Sequence, residues 1–122
     1  MIIVDTNVLL RYLLNDDASL NAKARQIIDN NDIFVTNEVI IEVCYVLNKV
    51  YKVEIDVICS LILELISLDN IFFASRAVVY ETFKTFMREN LDVVDCMLIA
   101  YNKCNGQKVA TFDKKLNQAL DN

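Results

Sequence analysis

MIIVDTNVLLRYLL, residues 1–14, places three polar residues between two segments that both belong inside a protein. Residues 2–4 are a short apolar run of the kind that makes a buried strand, and a second apolar run begins at Val8. Asp5-Thr6-Asn7 lies between them. All three residue types accept a backbone N–H at a helix start, so a helix cap is one reading of Asp5. A place in a functional site is the other, and the rest of the chain bears on the choice.

The same pattern recurs along the sequence. A strand over 2–4 leads into a helix over 6–14, and Asn15-Asp16-Asp17 breaks the chain before a helix over 18–29. A strand over 33–35 ends at Thr36-Asn37, followed by helices over 38–50 and 55–67. A third strand, 70–73, precedes a helix over 75–89. Asp92 starts a helix to 104, which Asn105-Gly106 terminates. A fourth strand over 108–111 and a short helix over 113–120 complete the chain. Short apolar strands without a polar face, alternating with helices, predict a parallel sheet covered on both sides. The expected fold is α/β, a three-layer α/β/α sandwich with a short parallel sheet, as one domain over 1–122.

Composition narrows the chemistry. The 122 residues are 55% apolar, with one glycine, no proline and no histidine. Nucleophilic systems that need an imidazole are excluded, and so are the glycine-rich loops that cradle phosphates. Carboxylates, hydroxyls and a few Lys and Arg remain, an inventory suited to hard, oxygen-liganded ions such as Mg²⁺ or Mn²⁺. Cys44, Cys59, Cys96 and Cys104 form no C-x-x-C pair and read as reduced, small core residues. No secretory signal or membrane-spanning run is evident, so a cytoplasmic location away from membranes is expected. The net charge of −5 lacks the basic footprint of a general nucleic-acid binder.

In parallel α/β sheets, sites form beyond the carboxyl ends of the strands. Asp5 follows the first strand, Asn37 and Glu38 the second, and Thr111 and Asp113 the last. Asp5 and Asp113 are each plausible caps as well. In NEVIIEVCYVLNKV, Val39, Val43, Val46, Leu47 and Val50 form an apolar stripe, with Glu42 on its edge. A carboxylate there needs a cation, and Lys49 is one candidate. In LDVVDCMLIA, Asp92 reads as an N-cap, whereas Asp95 runs directly into an apolar series and is expected in a crowded, poorly hydrated place. Two carboxylates about 4 Å apart repel by roughly 4 kcal/mol at an effective dielectric of 20. A cluster of acids is therefore costly unless a cation accompanies it.

At these residues the sequence resembles the PIN domain family, and most of all the ribonuclease toxins of VapBC-type toxin–antitoxin pairs. IIVDTNVLL, Glu42, LDVVDCMLIA and KVATFDKKL carry the resemblance across nearly the whole chain. It implies that Asp5, Glu42, Asp95 and Asp113 are the acidic metal-binding and catalytic set, with Asp5 central. Thr6, Asn7 and Thr111 match the accompanying polar positions; Cys96 stands where the family more often has alanine. The implied activity is a Mg²⁺- or Mn²⁺-dependent endoribonuclease acting on RNA, with an antitoxin protein and a second copy of the chain as partners.

This reading also eases the charge problem. Setting aside the four acids takes the balance from −5 to −1. Arg11, Lys114 and Lys115 are close in sequence to two of the acids, as candidate phosphate contacts or as ordinary solvated charges. The apolar excess of the two helices over 38–67, with Leu61, Ile62, Leu65 and Ile66 crowding the second, fits an interface or simple core packing. A ribonuclease of RNA maturation or turnover and a non-catalytic PIN-like module are the alternatives. A haloacid-dehalogenase-type phosphatase is disfavoured, because VDTNV lacks that motif's second carboxylate.

Overall fold

Three short β-branched and aromatic segments form the sheet: β1 (Ile2–Ile3), β2 (Ile33–Val35) and β3 (Ile71–Phe73). They are parallel, in the order β1-β2-β3, with Ile2 opposite Ile33, and Ile33 opposite Ile71. The structure is a computed structural model describing residues 1–120. It divides into two compact units, Met1–Ala74 and the chain from Ser75 onward.

In the first unit each parallel connection is a pair of helices, as parallel strands require a long crossover. Helices α1 (Thr6–Leu13) and α2 (Ala18–Asp29) join β1 to β2. Helices α3 (Asn37–Lys49) and α4 (Ile55–Ile66) join β2 to β3. Ile33, Val35 and Ile71 are fully buried in the sheet, and Leu9, Ile28, Ile40, Leu47, Ile58 and Ile62 are the matching buried residues on the helices. β1 lies at the edge of this sheet rather than beside a reversal of strand order, and Ile3 is 67% exposed. Of the four residues that crowd α4, Ile62, Leu65 and Ile66 are core. The exposed apolar residues of α3 and α4 are instead Tyr45, Ile55 and Val57, with Val50 at the end of α3.

The second unit contains α5 (Arg76–Arg88), α6 (Val93–Asn105) and α7 (Lys114–Leu120). α5 packs against α6 and α6 against α7. Thr82 is buried yet satisfied, its hydroxyl donating to the Val78 carbonyl at 2.7 Å. Gly106 ends α6 in the left-handed conformation, φ +69°, which glycine adopts without a Cβ penalty.

The α/β class, the parallel sheet and the helices agree with the sequence reading, with ends shifted by a residue or so. One element differs. Residues 108–111, expected as a fourth strand, belong to no strand among the described residues. Their composition suits an extended chain, but a strand exists only through its ladder partner, and local sequence does not specify one. Cys104 also departs from its expected place. Cys44, Cys59 and Cys96 are buried, whereas Cys104 is exposed, with its Sγ 3.7 Å from the Ala77 carbonyl. Burial pushes the Cys44 thiol up, and Cys59 up to about 11, so both stay protonated and unreactive at neutral pH.

The C-terminal end of α1 is fastened by one side chain. Asn21 Nδ2 donates to the carbonyls of Arg11 at 2.8 Å and Leu14 at 3.0 Å, while its Oδ1 accepts from Arg25 Nε. Asn21→Ala leaves those acceptors without that donor and should destabilise the fold by about 1–2 kcal/mol in urea unfolding. An unchanged unfolding midpoint would remove Asn21 as the anchor of α1.

Candidate active site

A helix start sets Asp5, and the body of α3 carries Glu42. Asp5 is the N-cap of α1, with extended backbone and Oδ1 accepting the Val8 N–H at 3.0 Å. One carboxylate oxygen satisfies an amide that the helix leaves orphaned, and a carboxylate has a second oxygen to offer. Cap and site are therefore compatible roles for Asp5. Thr6, the next residue, donates its hydroxyl to Glu42 Oε1 and so restrains that carboxylate from α1. Asn7 is exposed on the same turn.

Glu42 is exposed. The buried face of α3 runs through Ile40, Val43, Cys44 and Leu47, rotated from the stripe through Val39, Val46 and Val50. Apolar residues on both faces of α3 explain why spacing alone selected the wrong one. Among the described residues Glu42 makes no ion pair with Lys49; its partner is Thr6. Arg11 pairs with Asp16 at 3.2 Å.

In the second unit Asp92 caps α6, its Oδ1 accepting the Val94 N–H at 2.9 Å. Asp95 is in the first turn of the same helix, half-buried, with buried Val93, Cys96 and Met97 as its near neighbours in sequence. Burial, and then the charges of Asp92 and Asp113, raise the Asp95 carboxyl above its ordinary range. Asp113 stands before α7 as Asp5 stands before α1, with Oδ1 accepting the Leu116 N–H at 2.8 Å. Thr111 braces it: its Oγ1 accepts the Asp113 N–H at 3.0 Å, and its carbonyl accepts from Asn117 Nδ2 at 3.0 Å. The bracing role of Asn117 has no signature in the sequence.

The basic candidates separate. Lys115 donates to the Asn90 carbonyl at 2.6 Å, a tie within the unit. Lys114 is exposed and has no ion-pair partner among the described residues.

All the acids offer oxygen donors, which suit Mg²⁺ or Mn²⁺. Asp95 is crowded by two like charges and has no salt-bridge partner among the described residues, a condition that a cation relieves. The donor chemistry fits a hard divalent ion. Among the described residues no group of three or more Asp, Glu, Cys or His side chains stands in a metal-holding arrangement.

A family model of the PIN domain matches residues 2–120. The chain belongs to the PIN domain family. No curated relative matches the sequence. PIN domains are in general metal-dependent nucleases that bind Mg²⁺ or Mn²⁺, which makes a nucleic acid the substrate class. The matched span of this PIN domain includes Asp5, Glu42, Asp95 and Asp113.

The raised Asp95 carboxyl has a definite pH consequence. With its folded-state pKa above the unfolded value, protonation stabilises the fold at low pH, and that contribution is lost as pH rises through the folded value. In EDTA at neutral pH, Asp95→Asn should therefore melt at a higher temperature than wild type. The difference should shrink as the pH falls below about 4. Melting curves across that range check it, and a mutant less stable at neutral pH would contradict it.

Proposed function

We propose that this PIN domain is a metal-dependent endoribonuclease hydrolysing RNA phosphodiester bonds, and the toxin of a type II toxin–antitoxin pair. The observation that carries the reading is the family match over 2–120, and it is supported by Asp95, whose carboxyl is raised first by burial and then by the charges of Asp92 and Asp113. Ionised Asp95 is unfavourable without a cation, and a divalent ion is what the family's chemistry uses.

Asp5, Glu42, Asp95 and Asp113 are the ligand set. When bound, Mg²⁺ or Mn²⁺ activates water and neutralises charge on the phosphoryl oxygens. The chain's own groups hold and orient. Asp5 and Asp113 each commit one oxygen to a helix amide, which fixes the carboxylate plane without consuming the group. Thr6 holds Glu42, and Thr111 holds the turn that presents Asp113. Without histidine, the proton lost by the attacking water passes to a carboxylate or to solvent.

An antitoxin protein and a second copy of the chain are the proposed protein partners. The exposed Tyr45, Ile55 and Val57 on α3 and α4, and Val50 at the end of α3, support an interface there. RNA is the proposed substrate and the cytoplasm the proposed location; no helix among the described residues is long and apolar enough to cross a membrane.

Two measurements test this. Purified wild type should cleave total cellular RNA with Mg²⁺ or Mn²⁺ and not with EDTA. Asp5→Asn should lower cleavage by orders of magnitude while keeping near-normal stability, because asparagine caps as well as aspartate does. Asp5→Ala should lose the cap too, at about 0.5–2 kcal/mol. Near-normal cleavage by Asp5→Asn would remove Asp5 from the metal site.

The toxin role has its own test. Expression of the chain alone should arrest bacterial growth, and Asp95→Ala at equal protein level should relieve the arrest. Equal growth with both forms would point to RNA maturation or a binding module instead.

A further inference from the structure

Between α6 and α7 the chain presents an aromatic ring to solvent. Phe112 is exposed at 108% of its reference area, the highest of any large apolar side chain among the described residues. The turn that carries it is pinned on both sides. Thr111 is held by the Asp113 amide and by Asn117, and Asp113 by the Leu116 amide, so the ring projects from an ordered backbone. Single exposed apolar residues are ordinary; a fully exposed phenylalanine on a pinned turn beside a proposed catalytic acid is not.

The surroundings indicate what the ring meets. Exposure alternates from Lys108 to Phe112, the period of an extended chain, and puts Lys108, Ala110 and Phe112 on the outward side. Lys108 and Lys114 are both exposed, with no hydrogen-bond or ion-pair partner among the described residues. An open cleft of about 400 Å³ lies at the start of this stretch, lined by Leu98, Tyr101, Gln107, Lys108, Val109 and Ala110. Phe112 is flanked in sequence by Thr111, Asp113 and Lys114, polar neighbours that suit a flat, charged ligand better than an apolar protein surface.

We propose that the strip from Lys108 to Lys114 binds single-stranded RNA, with Phe112 stacking on one base and Lys108 and Lys114 contacting backbone phosphates. Every base has a π-face, so stacking is tolerant of sequence, and only an unpaired base leaves that face open. The stacked nucleotide would lie one residue from Asp113. The proposal rests on the ribonuclease reading for its biological sense but not for its test.

The chain has five tyrosines and no tryptophan, so Phe112→Trp creates a single tryptophan whose emission can be excited selectively. In EDTA, a short single-stranded oligouridylate should quench that emission saturably, and a duplex RNA of equal length should not. Phe112→Ala should weaken binding of the same oligomer by roughly 5–100-fold. Lys114→Gln should reduce the salt dependence of binding. An emission indifferent to the single strand, or an alanine variant with unchanged affinity, overturns the proposal. So does a Phe112→Ala variant whose only change is altered self-association in solution, which would make the ring a protein contact. Because no cleavage occurs in EDTA, the two readings separate. Stacking without wild-type cleavage removes the nuclease and keeps the RNA site. Cleavage with an unchanged KM in Phe112→Ala keeps the nuclease and removes the site.

Discussion

A half-buried carboxylate beside like charges is the constraint on which this protein turns. Asp95 is half-buried, and Asp92 and Asp113 add their charge to the penalty of its burial. A fold selected only for stability has no reason to keep that arrangement, since asparagine would occupy the space at lower electrostatic cost. Two devices temper the charge. Asp95 is in the first turn of α6, where the helix end is partially positive, and Asp92 and Asp113 each accept a backbone amide. Helix ends offset part of the repulsion; a divalent cation is suited to offset the rest.

Capping also explains how an acid is oriented in each unit. Asp5 and Asp113 each precede a helix and spend one oxygen on its first turn. The acid that begins the helix is thereby oriented by the helix, and its position follows from where the strand or turn before it ends. Threonine performs the finer adjustment in both units: Thr6 restrains Glu42, and Thr111 braces Asp113. Each bracing group is next to, or two residues from, a proposed ligand. In the turn from Thr111 to Asp113, ligand and support share one short motif, whereas Thr6 supports a carboxylate 36 residues away.

Much of this was legible from residue order alone. Asp17, Thr36, Ser75 and Asp92 stand where helices begin, and Gly106 where one ends, because capping is local chemistry. The half-burial of Asp95 follows from the apolar series after it. Two features were not legible, and both depend on contacts distant in sequence. Residues 108–111 have the composition of a strand but no ladder among the described residues. The face of α3 that packs inward is decided by its neighbours, since valine and isoleucine occupy both faces. Glu42 lies on the edge of an apolar stripe in the sequence yet is exposed, and its tie to Thr6 spans a separation of 36 residues. Phe112 gave no signal either, because nothing local distinguishes an exposed phenylalanine from a core one.

We propose that these carboxylates hold a divalent ion. Calorimetric titration of Mn²⁺ into the purified chain at neutral pH tests it without reference to any substrate. The account predicts saturable binding by wild type, and binding weaker by roughly tenfold or more in Asp95→Asn, which keeps the side-chain volume and removes the charge. Wild type without saturable binding, or the same isotherm from both proteins, would contradict it.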